Sequence, residues 1–271
     1  MNDKINLEKA REEFKRYVSE FNLEENMISL KYAHSFRVAE TSKELGTYVR
    51  DNIDGSVNVE LAELIGLLHD IGRFEQLKRF NTYNDRKSIN HGELGVKILF
   101  EDRVIENFID DRQYDRIINL AVINHNRDNI EEGLNERELL HCKIIRDADK
   151  WDILYVETIE SNDALWGISN PIFDNEITPE IFDGYMKTGR IDYSKIKGKE
   201  DVFITELAHI FNIYFDYTLE NIVQGDYLNR IRNKYLYSNE KLKKQLDLAY
   251  EKAFKYINDR LKNEETLQWN Q

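Results

Sequence analysis

Proline is almost missing from this chain. Pro171 and Pro179 are the only two in 271 residues, and they lie eight residues apart. Proline removes a helical N–H and clashes with the preceding turn. A chain without it keeps long stretches in which helices can run uninterrupted. Glycine is also scarce, at 12 residues, and the rest is rich in Leu, Ile, Glu, Lys, Asn and Tyr. The chain therefore reads as all-α.

Apolar residues recur at helical spacing along most of its length. In "LEKAREEFKRYVSEF" the stripe is Leu7, Ala10, Phe14, Tyr17 and Phe21. A second helix spans about 26–50, with Met27, Leu30, His34, Val38, Thr41 and Leu45 on one face. A third, "VELAELIGLLHDIG", carries Leu61, Ile65 and Leu68 to His69, with Gly72 as its stop. After the exposed-looking loop "FNTYNDRKSIN", a fourth begins near His91 and continues through Leu94, Ile98 and Leu99. In a fifth, Ile117, Ile118, Ala121 and Val122 lead to His125. A sixth starts at "NEREL", where Asn135 and Glu138 form a capping box, and runs through Leu139, Cys142 and Ile145 to Asp149.

The segment 161–199 differs. It holds both prolines, four of the twelve glycines and the basic stretch "KTGRIDYSKIKGKE". It reads as a loop-rich excursion over the helical core. Two C-terminal helices follow, about 201–223 and 239–263. The second has Leu242, Leu246, Ala249, Ala253, Tyr256 and Ile257 on one side, suited to closing the bundle or to a homodimer contact. The whole reads as a single domain over 1–271, with a motif core at 28–160, the excursion at 161–199 and C-terminal helices at 200–265.

Composition narrows the class. Hydrophobic residues make up 41% and charged residues 33%, the balance of a globular chain. No apolar run approaches the roughly 18 residues that span a bilayer, and the start "MNDKINLEKAREEF" is too charged for a signal peptide. The single cysteine, Cys142, excludes an internal disulfide framework and reads as a core residue in a reducing cytoplasm. The net charge of −13 disfavours stable nucleic-acid or anionic membrane binding, which needs clustered cations. A small phosphorylated substrate remains compatible, since a bound metal reverses the sign locally.

The chemistry concentrates in "LLHDIGRFEQ". An imidazole beside a carboxylate at the end of an apolar run suits a borderline divalent metal such as Mn, Fe, Ni or Zn. Adjacent residues cannot surround an ion alone. His34 and Asp149 qualify as further ligands by their helix faces, although spacing does not select them.

"LLHDIGRF" resembles the defining segment of the HD-domain metal-dependent phosphohydrolases. His34 in "YAHSFRVA", the His69-Asp70 pair and Asp149 in "IIRDADKWDIL" match that family's order of His, His-Asp and Asp. His91 in "NHGELGVKIL" and His125 in "INHNRD" match the places where two-metal members carry extra histidines. The resemblance covers about residues 28–160. It implies an HD-domain helical bundle and one or two divalent ions, Mg included. His34, His69, Asp70 and Asp149 would hold one ion. His91 and His125, with Asp70 bridging, would hold a second, and Asp70 would be the catalytic carboxylate. Asp147 and Asp152 compete with Asp149, and the family pattern favours Asp149 with Asp152 in support. Arg73 and Lys150, each following a motif residue, are the candidate phosphate-binding residues. Arg86, Lys187, Arg190, Lys195 and Lys197 are weaker candidates, and Trp151 and Trp166 read as core.

The resemblance implies a manganese-type phosphohydrolase acting on a small phosphoester or phosphoanhydride, a nucleotide by family analogy. No Gly-Tyr-Pro element follows the His-Asp pair, which argues against cleavage of cyclic dinucleotides. Two alternatives remain: a di-iron oxygenase with the same six ligands, and a non-catalytic nucleotide-binding regulator.

Overall fold

The computed structural model describes residues 5–166, 169 and 171–261, and the described residues are helical without a named strand. Contacts divide the chain into two compact units, the first ending at Asp152 and the second beginning at Ile153. The single-domain reading placed the end of its motif core at 160. The observed division falls earlier, inside a continuous helix, where no composition change marks it.

The first unit contains α1 (Leu7–Val18), α2 (Asn26–Asn52), α3 (Val59–Leu68), α4 (Ile71–Phe80), α5 (His91–Val96), α6 (Ile105–Phe108), α7 (Asp115–Asn124) and the part of α8 (Glu136–Ile159) up to Asp152. Their starts follow side-chain chemistry. Asn6 accepts from the Lys9 amide at 3.0 Å, Asn58 from Leu61 at 3.0 Å and Asn90 from Glu93 at 3.0 Å. The expected capping box of α8 is present, with Asn135 and Glu138 each accepting the other's backbone N–H at 3.0 Å.

α3 is buried all round, from Leu61 to Leu68. Its polar Glu63 is held by Arg11 at 2.7 Å and Lys43 at 3.2 Å. It packs along α2, and here the sequence stripe differs from the observed one. Of the expected stripe, His34, Val38 and Leu45 are buried and Met27 is exposed, and the small residues Ser35, Ala39, Ser42 and Gly46 are buried as well. The reason is close approach. A Cβ on Gly66 of α3 would lie 2.6 Å from Ser42 Oγ and 2.7 Å from the Val38 carbonyl oxygen. That closeness sets the end of α3 beside His34 of α2.

Gly72 does not end a helix. α3 stops at Leu68, His69 and Asp70 form the corner, and Gly72 lies in the first turn of α4. Its backbone runs against α5: an added Cβ would sit 2.3 Å from the His91 carbonyl oxygen and 2.7 Å from the Gly95 nitrogen. The missing side chain, not a left-handed turn, is what this position requires. Beyond α5 the chain widens into a π turn over Lys97–Glu101.

The second unit contains α9 (Asn162–Trp166), α10 (Pro179–Thr188), α11 (Glu200–His209), α12 (Asp216–Gln224), α13 (Tyr227–Lys234) and α14 (Glu240–Leu261). The segment 161–199 is less of an excursion than its composition implies. Pro179 opens α10 at its first turn, where its missing N–H costs nothing. Phe173, Ile181 and Tyr185 are fully buried. Trp166, expected in the core, is half-buried against Phe173, Phe203 and Tyr235. The region expected as one helix over 201–223 is two, α11 and α12, joined by a 3-10 turn over Ile210–Asn212. Lys187, Arg190, Lys195 and Lys197 are exposed. No helix among the described residues is long and apolar enough to cross a membrane.

Gly72→Ala should lower stability by about 1–3 kcal/mol, the usual cost of overpacking against backbone that must move. Gly55→Ala, with nothing within 4 Å of the new Cβ, should fall within about 0.5 kcal/mol of wild type. Chemical denaturation of the two variants side by side checks this.

Candidate metal centre

Six predicted residues from five places in the chain converge in the first unit. His34 comes from α2, and His69 and Asp70 from the α3–α4 corner. His91 opens α5, His125 follows α7, and Asp149 lies on α8. Ring Nε2 atoms and carboxylate oxygens face one another. His34 Nε2 lies 3.1 Å from Asp149 Oδ1 and 3.6 Å from Asp70 Oδ2. His69 Nε2 lies 3.6 Å from the same two oxygens. On the other side, Asp70 Oδ1 lies 3.3 Å from His91 Nε2 and 3.6 Å from His125 Nε2. Asp70 thus offers one oxygen to each histidine pair. Two donor groups, His34–His69–Asp70 and Asp70–His91–His125, each have their ligand atoms within 4.8 Å of one another.

The other ring nitrogens explain this aim. His69 Nδ1 donates to the Gly66 carbonyl at 2.7 Å, and His125 Nδ1 donates to the Val122 carbonyl at 2.6 Å. A carbonyl only accepts, so these Nδ1 atoms carry the proton and Nε2 presents a lone pair. His34 Nδ1 reaches Asp152 Oδ2 at 2.6 Å, and His91 Nδ1 reaches Asp85 Oδ2 at 2.7 Å. Asp152 is itself gripped by Arg37 at 2.8 and 3.2 Å. Each imidazole is therefore fixed in rotation and tautomer by an acceptor behind it, the arrangement that orients metal-binding histidines.

The competition on α8 resolves by helical geometry. Asp149 and Asp152, three apart, share a face, with Asp149 toward His34 and His69 and Asp152 behind His34. Asp147 lies two residues from Asp149, about 200° round the helix. Of the two other histidines, His141 is buried with Nδ1 bonded to the Arg137 carbonyl at 2.8 Å, a structural role. His209 belongs to the second unit.

The donor set fits a divalent ion. Nε2 of His34 and His69 is buried without a hydrogen-bond partner. The Nε2 atoms of His91 and His125 face each other at 2.9 Å, although both rings place their proton on Nδ1. Opposed lone pairs at that distance call for a cation. Ligands about 2.0–2.1 Å from a metal stand about 2.9 Å apart at right angles and about 3.4 Å apart in a tetrahedron. The observed donor separations of 2.9–3.6 Å cover these edges.

Electrostatics agree. Burial lowers His91 to about 3, helped by Arg73, and burial also lowers His125, so both stay neutral. Burial would lower His69 too, but Asp70 and Asp149 outweigh it and hold it above its ordinary value. Burial opposes ionisation of Asp70 and Asp149. Lys31 and His69 overcome it for Asp70, and the facing His34 and His69 rings overcome it for Asp149, leaving both well below the usual carboxylate range. Asp85, despite burial, is lowered to about 2 by its bond to His91.

Of the two candidate phosphate-binding residues, Arg73 keeps Nε 3.6 Å from Asp70 Oδ1 while its Nη1 is engaged in the loop. Arg73 Nη1 donates to the Tyr83 carbonyl at 2.6 Å, to Gln76 at 3.0 Å and to Asp85 at 3.1 Å. It braces the loop behind His91. Lys150 is 6% exposed and gives Nζ to the Arg146 carbonyl at 2.9 Å, and burial lowers it to about 8. Three site residues escaped the sequence reading: Lys31, whose Nζ meets Asp70 Oδ2 at 2.6 Å, and the supports Asp85 and Arg37. Lys31 and Arg37, each three residues from His34 on α2, could have been found by helix periodicity. Asp85, in an irregular loop, gave no such signal.

An all-helical unit that gathers four oriented imidazoles and two carboxylates around a shared aspartate is a candidate metal-binding domain. Residues 32–154 match the family model described as HD domain, the family its motifs resemble. No curated protein and no solved structure matches the chain.

Asp85→Asn and Asp152→Asn should each weaken metal affinity about 10–100-fold, measured by calorimetric titration of metal-stripped protein. Acid should destabilise that stripped protein. A histidine lowered in the folded state takes its proton only on unfolding, so His91 costs stability as pH falls from about 6.5 toward 3. Asp85, also lowered, loses its contribution as pH falls from about 4 toward 2. His69 works the other way. Melting temperature against pH should therefore fall steadily below about 6.5.

Proposed function

We propose that the first unit is a divalent-metal-dependent phosphohydrolase acting on a small phosphoester or phosphoanhydride of nucleotide type. The observation that carries this reading is the split use of Asp70, whose two oxygens face two separate imidazole pairs. That arrangement suits two ions side by side, and the HD family is generally one of metal-dependent phosphohydrolases. His34, His69, Asp70 and Asp149 would hold one ion, and Asp70, His91 and His125 a second. When bound, such ions supply an activated water and neutralise phosphoryl oxygens.

The chain's own residues do the rest. The Nδ1–H bonds to Gly66, Val122, Asp85 and Asp152 keep four lone pairs aimed inward before any ion arrives, so little reorganisation accompanies binding. Burial of the rings keeps bulk water from the donors. Asp149, the least buried of the ligand carboxylates at 15% side-chain exposure, borders the route by which substrate and water would enter. The nucleotide preference rests on family analogy.

Mn-loaded protein should release phosphate from at least one member of a nucleotide and phosphoester panel without consuming oxygen. Asp70→Ala should abolish metal binding and phosphate release together. Full activity in that variant would falsify the site assignment. Iron retained on purification, with oxygen uptake and no phosphate release, would instead establish the oxygenase alternative.

A further inference from the structure

Three cationic side chains lie near the two acidic ligands, and the fold treats them differently. Arg73 is bound to the loop at Tyr83 and Asp85, with its Nε 3.6 Å from the other Asp70 oxygen, Oδ1, and Lys150 is buried along α8. Lys31 is the third. It sits on α2 one turn before His34, its side chain 18% exposed, with Nζ 2.6 Å from Asp70 Oδ2. Among the described residues, that carboxylate is the hydrogen-bond partner of its ammonium.

The oxygen Lys31 holds is the one that faces the first donor group. Asp70 Oδ2 lies 3.6 Å from Nε2 of both His34 and His69. Asp70 is 2% exposed, so its negative charge needs a counter-ion wherever it stands. Lys31 supplies that charge. A divalent ion bound through Oδ2 would bring three positive charges to one carboxylate oxygen in a poorly screened site, and like charges this close repel strongly. Lysine is the member that can yield, because its charge sits on a flexible stem and it already reaches solvent. An ammonium turned outward beside bound metal then faces the one ligand still needed, an anion.

We propose that Lys31 is a displaceable stand-in for the metal: it neutralises Asp70 in the metal-free protein, and once a divalent ion takes that carboxylate, its released ammonium receives the anionic group of the substrate. This rests on the reading of the cluster as a divalent-metal centre. It assigns the recruiting role, expected of Arg73 and Lys150 from their places after motif residues, to a residue neither motif contains.

The test uses the full chain, metal-stripped, as wild type, Lys31→Met, Lys31→Gln and Lys31→Arg. The probes are Mn²⁺, followed by the electron paramagnetic resonance signal of the free ion, and inorganic phosphate, titrated by calorimetry into Mn-loaded protein. Lys31→Met should bind Mn²⁺ about tenfold more tightly, because its competitor is gone, and bind phosphate about tenfold more weakly, the scale of one charge-assisted hydrogen bond. Lys31→Gln should shift both in the same directions, and Lys31→Arg should keep phosphate affinity near wild type. Mn²⁺ affinity that is unchanged or lower in Lys31→Met and Lys31→Gln overturns the proposal, as does unchanged phosphate affinity. Both readouts are independent of turnover. If they shift as expected while no substrate releases phosphate, the hydrolase reading fails and the role of Lys31 stands.

Discussion

Asp70 is a fully ionised carboxylate placed where water hardly reaches. In isolation such a group would cost several kcal/mol, and the surrounding structure answers that cost. Lys31 holds one oxygen directly, and four imidazoles converge on the pair of oxygens from different helices. Each imidazole is in turn pinned from behind by Gly66, Val122, Asp85 or Asp152. Remove the carboxylate and the inward-facing lone pairs have nothing in common to face. The helices are packed around this focus, and their contacts make sense as means of bringing donors to it.

Two close approaches do most of that positioning. Gly66 lets α3 lie against the backbone of α2, which sets His69 beside His34, with ring centroids 5.2 Å apart. Gly72 lets the first turn of α4 lie against α5, which sets Asp70 beside His91. Either glycine, given a side chain, would push apart two helices that each carry ligands. The site is therefore coupled to packing at positions that supply no donor atom to it. Its rigidity follows from the same source, since interiors packed at this density resist displacement.

Much of this was legible in the sequence. The helical character followed from the want of proline and from apolar periodicity, and the α8 capping box followed from Asn135 and Glu138. Four of the six histidines stood out because they lie at or near the ends or on the apolar faces of expected helices. What escaped depended on distant partners. The stop assigned to Gly72 failed because glycine serves equally as a helix end and as a contact surface, and only the neighbour at 2.3 Å decides which. The face expected on α2 was right at His34, Val38 and Leu45, but the small residues Ser35, Ala39, Ser42 and Gly46 are buried too, because α3 packs closely. Arg73 followed the motif in sequence yet is drawn to Tyr83 and Asp85, acceptors brought near by the loop.

The sequence by itself determined the inventory: which residues could donate to a metal, in what order they occur, and that helices carry them. Periodicity fixes a side chain's face on its own helix, so this much needs only local chemistry. Tertiary structure alone decided the pairing. It chose Asp149 over Asp147, set Asp152 and Asp85 behind His34 and His91, and put Lys31 on Asp70. It also ended the first unit at Asp152, within a helix. The register of one helix against another comes from packing across gaps of tens of residues, and spacing along the chain carries no record of it.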